Sequence, residues 1–439
     1  MSNTLLTISD ITNEGLMILE NELVFADKVN REYDDRFGID GAKIGYTVNV
    51  RKPARFKGTF GPALNVEDFT ETSVPVTLNS QFHVDTQFIT SDLLLSMDMF
   101  SKRVLQPKIA TIANRIDYDG LLLATKSTYN ITGTAGTPPT TVAPFLQGGA
   151  WLDSESVPRD GNRYMMLDQW TQASMAGGLT GLFNPQVTIG DQYKKGLLGK
   201  ATLGFDFYMD QNISAQTFGA LGGTPLYDAT QTSTALLTTG WADKGTLGTK
   251  GWTNSTAVVN VGDVFSIANV LAVNPQNRKV VGGGKVRYFT VTIPVGIPAA
   301  GTYAPLLDPV TGVDIGGTYT SSGSGTLQLT VASTCVSGGQ FQNVNAAPAA
   351  NAALAFYAGS NAVSPQNLAF HRDAFTLVSA DLPLPGGVDM AARASHKDVG
   401  MSMRVVRQYT INNDALPTRI DVLYGWAPLY RELACRVAG

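Results

Sequence analysis

The chain has 439 residues, of which 44% are hydrophobic and 15% are charged, and its formal net charge is −4. Such a composition excludes an intrinsically disordered chain, which combines low hydrophobicity with high net charge. It also argues against a protein that wraps nucleic acid by neutralising phosphates, because such proteins carry a basic excess. At ~150 residues per domain, this length predicts two to three domains.

The two cysteines and the N-terminal residues bear on the compartment. Cys335 and Cys435 are too few for a disulfide framework and wrongly spaced for a zinc site. Reduced thiols are expected, although one long-range disulfide remains open. The first residues lack the basic and apolar regions of a signal peptide, and no apolar run reaches the ~20 residues that span a bilayer. We therefore expect a protein made in a cytosol, with no membrane partner.

Residues 1–44 are the first predicted segment, an acidic helical arm. Leu16, Leu19 and Leu23 recur at helical spacing, and acidic residues outnumber basic ones. The pattern fits an arm that completes its core on another chain. It fits equally well an ordinary first helix of a globular domain.

Residues 45–90 predict an extended β-hairpin loop. Tyr46, Val48 and Val50 alternate with polar residues, and a Gly/Pro-marked turn follows at 57–62. The charges are segregated, with Arg51, Lys52, Arg55 and Lys57 on one arm and Glu67, Asp68 and Glu71 past the tip. An isolated hairpin is only marginally stable in water. A hairpin of this length must therefore lie on something, and a neighbouring chain is one such support.

Residues 91–221 predict a long helix followed by a mixed core. An apolar stripe runs from Leu94 to Leu121, and Pro107 either kinks this helix or starts a second one. A helix of this length would run ~50 Å, which is a spine for a large fold. A strand and a helix near 167–175 are expected next, and Asn184-Pro185 is expected to open another helix.

Residues 222–345 have about half the charge density of the rest of the chain and are rich in Gly, Ser and Thr. Strands are predicted at 257–261, 265–270, 286–293 and 325–332. This spacing indicates a small antiparallel barrel or sandwich inserted into the main fold. Residues 346–358 predict an alanine-rich helix, and residues 367–439 return to strands.

Catalytic motifs are missing from the sequence. His83, His371 and His396 are the only histidines, so a zinc-binding HExxH motif cannot occur. His371 has neighbouring charges, but no GxSxG nucleophile elbow completes a triad. The glycines at 282–284 precede Lys285 without the rest of a phosphate loop, so a β-turn is expected there. We predict no catalytic, cofactor or metal site.

The order of these segments resembles the major capsid proteins of tailed bacteriophages, which share the Hong Kong 97-type shell fold. The closer resemblance is to the podophage coat branch, whose members carry an insertion domain. It covers nearly the whole chain and depends on order and spacing, since no single motif is diagnostic. The segments that carry it are 45–56 with 72–90, 91–122, Asn184–Gln186, Tyr193–Gly196, Gly262–Asn269, Phe370–Pro383, Val399–Ile411 and Ile420–Trp426.

The resemblance implies an α+β fold with an N-terminal arm, an extended β-hairpin loop, a long spine helix, peripheral and axial domains, and an inserted small β-barrel domain. It implies a non-enzymatic major capsid protein that self-assembles as hexamers and pentamers into an icosahedral shell. The implied partners are further copies of the chain, a scaffolding protein, a portal protein and double-stranded DNA, which is enclosed without sequence-specific binding. The implied location is the virion capsid, with assembly in the host cytoplasm and no cofactor.

The predicted domains are 1–44 (arm), 45–90 (extended loop), 91–221 (spine helix and first part of the core), 222–345 (inserted β-barrel) and 346–439 (second part of the core). Some relatives crosslink a loop lysine to an asparagine of a neighbour, which makes Lys52 and Lys57 candidates by location. Non-covalent assembly is nevertheless expected. The predicted inter-subunit contacts are Arg51, Lys52, Arg55, Lys57, Glu67, Asp68, Glu71, Asp243 and Lys244.

A phage fibre or a β-rich carbohydrate-binding module is the alternative. The Thr/Gly-rich stretch at 222–345 supports it, since Trp241 and Trp252 within it could stack on sugars. The long spine helix opposes it. An enzyme ranks third, because a hydrolase would need a catalytic constellation that the sequence lacks.

Overall fold

The structure of the chain is a computed structural model that describes residues 8–34, 47–52, 55–64, 66, 71–89, 105–178, 204–231, 236–237, 242–294, 301–309, 312–396, 400–413 and 415–439. The chain divides into two units. The first comprises Met1–Val50, Pro75–Leu121 and Phe375–Ala427, and the second comprises Arg51–Val74, Leu122–Ala374 and Pro428–Gly439.

The described α-helices are α1 (Ile8–Glu22), α2 (Phe25–Lys28), α3 (Gln106–Ser127), α4 (Ala143–Ser154) and α5 (Gln169–Gly178). Pro107 lies in the first turn of α3, so it starts a helix, as one of the two predicted alternatives had it. The 22 residues of α3 run ~33 Å. The rest of the predicted spine, 91–104, and the helix expected at Asn184-Pro185 lie outside the described residues.

The described strands are β1 (Asn30–Asp34), β2 (Thr47–Lys52), β3 (Thr72–Thr77), β4 (Ser80–Ile89), β5 (Ile131–Gly133), β6 (Arg163–Leu167), β7 (Asp206–Met209), β8 (Ala215–Thr217), β9 (Gly223–Tyr227), β10 (Lys244–Trp252), β11 (Val258–Asn260), β12 (Val264–Leu271), β13 (Val286–Val291), β14 (Thr302–Leu307), β15 (Asp314–Thr320), β16 (Thr326–Ala332), β17 (Leu354–Phe356), β18 (Val363–His371), β19 (Phe375–Ala380), β20 (Met390–His396), β21 (Met401–Arg407), β22 (Ala415–Pro428) and β23 (Ala434–Ala438). The predicted α+β class is therefore confirmed.

The first unit is built on a sheet of order β1-β19-β22-β21-β20, with β4 also paired to β22. Helix α1 packs on β20 and β21 and buries Leu16 and Leu19. The arm's apolar face is thus covered within its own chain, as in an ordinary first helix. The predicted arm is not helical throughout, because Asn30–Asp34 form β1 in parallel register with β19. Backbone hydrogen bonds to β19 hold these residues in a strand, and these bonds outweigh the residues' helix propensity.

An aromatic contact joins α2 to the end of β22 in the first unit. The Phe25 ring stacks on the Trp426 ring with 5.5 Å between centroids. Gly120, on α3, leaves the space that these rings occupy, since a Cβ there would lie 2.6 Å from the Trp426 ring. Asp117 of the same helix accepts hydrogen bonds from the backbone N–H groups of Val24 and Ala26, at 2.8 and 2.9 Å.

Replacing Gly120 by valine should destabilise the first unit by about 1–3 kcal/mol, the usual range for overpacking a core. The added methyl groups would push into the two rings, and neither backbone is free to shift. Thermal unfolding of the unassembled subunit measures the effect. Gly386→Ala is the matched control, because nothing lies within 4 Å of the Cβ it would add. An unchanged melting temperature in Gly120→Val would contradict this packing.

The β-rich part of the second unit contains two sheets over one core. Their orders are β17-β12-β13-β16-β10-β9 and β11-β15-β14, and Phe265, Phe289 and Tyr319 are fully buried between them. The four strands predicted between 257 and 332 are confirmed as β11, β12, β13 and β16. The separate inserted domain at 222–345 remains a prediction, since these residues belong to a larger unit.

The helix predicted at 346–358 is wrong. Its residues form turns and the short strand β17, which pairs with β12. Asn351 adopts a positive φ of 61° and donates its backbone N–H to Tyr227 O. Long-range backbone pairing therefore outweighs the helix propensity of alanine here.

A third sheet of the second unit, of order β5-β23-β18-β6-β7, carries α4 on one face. Cys435 on β23 is buried in its core, and Cys335 is buried in the β-rich core. Both are free thiols, so the disulfide left open above is not formed. Burial raises the pKa of each thiol to about 12, which keeps it protonated and unreactive. Among the described helices, none is both long and apolar enough to cross a bilayer.

Candidate functional site: an extended loop and the charge cluster at its base

Strands β2 and β3 pair with each other and bracket residues 51–71, called the loop here. Arg51 and Glu71 form an ion pair at its two ends, with 3.5 Å between Nη1 and Oε1. The Arg51 side chain is 78% exposed. A pair this exposed contributes only ~0–1 kcal/mol to stability. Both charges are therefore available to another molecule at little energetic loss.

The far part of the loop presents an apolar surface, called the loop tip, made of Phe56, Phe60, Leu64 and Val66. Phe60 is fully exposed and Leu64 is 91% exposed. Single exposed apolar residues are ordinary on protein surfaces. Four in one short segment make a patch of the kind that marks an interaction site.

The base of the loop is held by charged side chains of the second unit. Arg55 donates to Glu432 with 2.5 Å between Nη2 and Oε1. The Lys52 ammonium lies 4.6 Å from the centre of the Tyr430 ring, within range of a cation–π interaction. Lys52 is only 8% exposed. Arg278 donates to the backbone carbonyl of Phe56 at 3.2 Å.

A deeper layer of the same cluster is fully buried. The Arg287 guanidinium donates to Glu155 Oε1 at 2.5 Å, to Tyr129 Oη at 2.8 Å and to Ser333 Oγ at 2.8 Å. Its plane also lies over the Tyr129 ring at 4.5 Å. This arginine is therefore paired and hydrogen-bonded on every edge, which is what a buried charge requires.

A third ion pair completes the cluster. Arg431 donates to the Asp243 carboxylate at 2.8 and 3.1 Å and to the Asp243 carbonyl at 2.6 Å. Lys244 follows at the start of β10 and is half-buried. A cavity of about 70 Å³ lies between the three pairs, lined by Lys52, Arg55 and Glu432 among others.

Burial and neighbouring charges shift the pKa values of the ionisable groups in the cluster. Burial alone would raise the pKa of Glu432, but the charges of Arg55 and Lys52 hold it below its usual value. Burial raises the pKa of Glu155 despite its arginine partner. Burial also lowers the pKa of Lys52. The outer carboxylate at the base of the loop is therefore ionised at neutral pH.

The structure divides the predicted contact residues into three groups. The exposed group is Arg51, Lys57 and Glu71, and the group inside or beside the cluster is Lys52, Arg55, Asp243 and Lys244. Glu67 and Asp68 lie outside the described residues. The cluster members that sequence reasoning missed are Tyr129, Glu155, Arg287, Arg431 and Glu432. No local pattern marks them, because the ion-pair partners lie far apart in the sequence.

The histidines occupy structural positions where they are described. His83 lies on β4, with Nδ1 3.0 Å from Asp85 Oδ2. His371 is buried, and its Nε2 lies 3.2 Å from Asp160 Oδ1. The side chain of His396 lies outside the described residues. Within the described part of the chain, no group of three or more His, Cys, Asp or Glu residues could hold a metal ion.

Solved phage structures are similar to this chain over most of its length. That of Mycobacterium phage Che8 has 10% identity and a TM-score of 0.43, covering 94% of this chain and 90% of its own. The capsid structure of cyanophage P-SCSP1u has 8% identity and a TM-score of 0.43, covering 95% and 88%. The mature capsid of bacteriophage PhiM1 has 10% identity and a TM-score of 0.40, covering 100% and 89%.

No curated protein sequence matches the chain. A family model described as P22 coat protein, gene protein 5, matches residues 11–435. That match leaves only a few residues at each end unassigned and takes in the loop, the charge cluster and all three large sheets. The chain therefore belongs to the P22 coat protein family.

Proposed function

We propose that copies of this coat protein assemble as hexamers and pentamers into an icosahedral shell around double-stranded DNA. The observation that carries this proposal is the family match over residues 11–435. Membership of the family makes the chain a major capsid protein, a structural component of the virion shell. The predicted Hong Kong 97-type fold is confirmed with it. A fibre or carbohydrate-binding module is not favoured.

A scaffolding protein, a portal protein and the packaged DNA are the further partners that we propose, with assembly in the host cytoplasm. The net charge of −4 supports an inert container, because DNA that must later leave should not adhere to the inner wall. DNA would then be enclosed without sequence-specific contacts.

Subunit contacts made by the loop are the next element of the proposal. Its exposed charges, Arg51, Lys57 and Glu71, would pair with a neighbouring subunit, and its tip would pack there through Phe60. Individually weak contacts suit a shell, because a wrongly placed subunit can dissociate before the lattice closes. Glu67, Asp68, Asp243 and Lys244 remain proposed contacts in the same sense.

Sedimentation of the purified protein on a sucrose gradient, with negative-stain images of the fast fractions, tests the function. Closed shells or hollow tubes are the expected result, alone or with a scaffolding protein. A species that stays monomeric or trimeric under both conditions would overturn the proposal. Binding of a carbohydrate by that species would favour the alternative module.

Arg51→Glu should reduce the yield of shells at least several-fold while leaving the unassembled subunit folded. The substitution reverses a charge that contributes ~0–1 kcal/mol within the chain, yet every copy in the lattice would present it to a neighbour. Light scattering during assembly measures the loss, and circular dichroism checks the fold. Lys285→Glu, at an exposed turn far along the sequence, is the matched control. Normal yields with Arg51→Glu would remove this residue from the interface.

A further inference from the structure

The loop is attached at its base by charge and not by apolar burial. Among the described residues of the loop, Lys52 is the only buried one and Arg55 the only half-buried one. Their contacts include an ion pair with Glu432 and a cation–π contact with Tyr430, and Arg278 also donates to the Phe56 carbonyl. The apolar side chains of the loop tip are all exposed. An attachment of this kind is reversible, because water can replace each of its interactions.

The cluster beneath the loop can survive without it. Arg287 keeps Glu155, Tyr129 and Ser333 as partners whether or not the loop is seated. Arg431 likewise keeps Asp243. Departure of the loop would separate Glu432 only from Arg55 and Lys52, and the Glu432 side chain is already 20% exposed. The outer carboxylate can therefore be hydrated when the loop leaves.

We propose that the outer layer of the cluster is an intrachain latch that seats the loop base on its own chain before assembly and releases it to a neighbouring subunit. The latch comprises Lys52, Arg55, Tyr430 and Glu432. This inference rests on the proposed loop contact between subunits. The seated loop withholds Lys52 and Arg55 from other subunits, so the latch delays assembly until a competing contact is offered.

Glu432→Gln tests the latch, because it removes the charge while keeping the shape of the side chain. Trypsin can cleave after the exposed Lys57 in either state, whereas cleavage after the half-buried Arg55 requires a loose loop base. We expect cleavage there to be at least threefold faster in unassembled Glu432→Gln subunits, and assembly with scaffolding protein to reach half-completion at least threefold sooner. Glu22→Gln is the matched control, since it makes the same substitution at an exposed position of α1, outside the loop and the cluster.

The charge-swapped variant Arg55→Glu/Glu432→Arg should restore the wild-type half-time of assembly, which separates the latch from general unfolding. Its cleavage is not compared, because a glutamate at position 55 is no longer a trypsin site. Cleavage in Glu432→Gln at the wild-type rate would overturn the latch, as would faster cleavage combined with slower assembly. If the wild-type protein forms no shells with scaffolding protein, the proposed function fails. The cleavage rates would still decide whether the cluster seats the loop.

Discussion

Replacing Arg287 by methionine should lower the free energy of unfolding of the coat subunit by about 3–5 kcal/mol, because it leaves a buried carboxylate without its partner. Glu155 and Arg287 are both buried, with side chains 6% and 3% exposed, and their charged atoms lie 2.5 Å apart. The same substitution removes the donors that satisfy Tyr129 Oη and Ser333 Oγ. Urea unfolding of the unassembled subunit measures the loss.

The double variant Glu155→Leu/Arg287→Met should recover most of that stability. Removing both charges also removes the desolvation penalty, and a well-packed apolar pair is often as stable as a buried ion pair. Equal losses in the single and double variants would mean that the charges do not interact. Glu71→Ala, at an exposed ion pair, should change stability by at most ~1 kcal/mol.

The pH dependence of Arg287→Met has a defined sign. Burial raises the pKa of Glu155 above its unfolded-state value already in the wild type, and loss of the arginine must raise it further. A raised pKa means that the folded state binds the proton more tightly, so stability falls as pH rises through that pKa. The deficit of Arg287→Met should therefore be smaller at pH 5 than at pH 8.

Local pattern was sufficient for about half of the described strands and gave the start of α3 as one of two alternatives. Alternation placed β2, β3 and β4, and Pro107 marked the first turn of its helix, because backbone period and proline geometry are local properties. The helix prediction for residues 346–358 failed because long-range contacts set the structure of that segment. Alanine content predicts a helix, whereas the backbone pairing of Asn351 with Tyr227 is a long-range fact.

The charge cluster could not be predicted from sequence. Arg55 and Glu432 are separated by 377 positions, and Arg287 and Glu155 by 132. The segregated charges of the loop did indicate that Lys52 and Arg55 pair with acidic residues. The acids that they meet in this chain come from its C-terminal segment, which only the folded topology brings to the loop base. Which partners they meet in the shell is the question that the latch variants address.

A second buried carboxylate, Asp263, should be as important to stability as Arg287. It lies in the turn before β12 and accepts hydrogen bonds from Asn260 N at 2.8 Å, Gly219 N at 3.0 Å and Gln216 Nε2 at 3.0 Å. Asp263→Ala would take this acceptor from the backbone N–H groups of Asn260 and Gly219, whereas Gln216 Nε2 would keep the carbonyls of Thr217 and Val261. Unsatisfied buried donors cost ~1–3 kcal/mol each when water cannot replace the acceptor.

Two cations, the half-buried Lys126 and the fully buried Arg436, share this site and add to the expected loss. Lys126 Nζ donates to Val261 O at 2.9 Å, and Arg436 donates to Gly262 O at 2.9 Å. Asp263 is the charge that opposes both of them, so its removal should bring the total loss to about 3–5 kcal/mol. Asp263→Asn keeps the shape and one acceptor oxygen and should lose less. Equal stability of Asp263→Ala and wild type would contradict the role of this carboxylate.

The pH profile of the wild type gives an independent check on the same group. Burial raises the pKa of Asp263 to about 6. At pH values just below 6, the folded state therefore still holds a proton that the unfolded state has already lost. Its contribution to stability is fully present below its unfolded-state pKa of ~3.9 and is lost as pH rises through 6. Burial lowers the pKa of Lys126 to about 8, so stability should recover as pH rises above that value. Urea unfolding from pH 5 to 7 should therefore show a decline in the wild type that is smaller in Asp263→Asn, because an amide does not titrate, whereas Glu155, whose pKa burial also raises, still does.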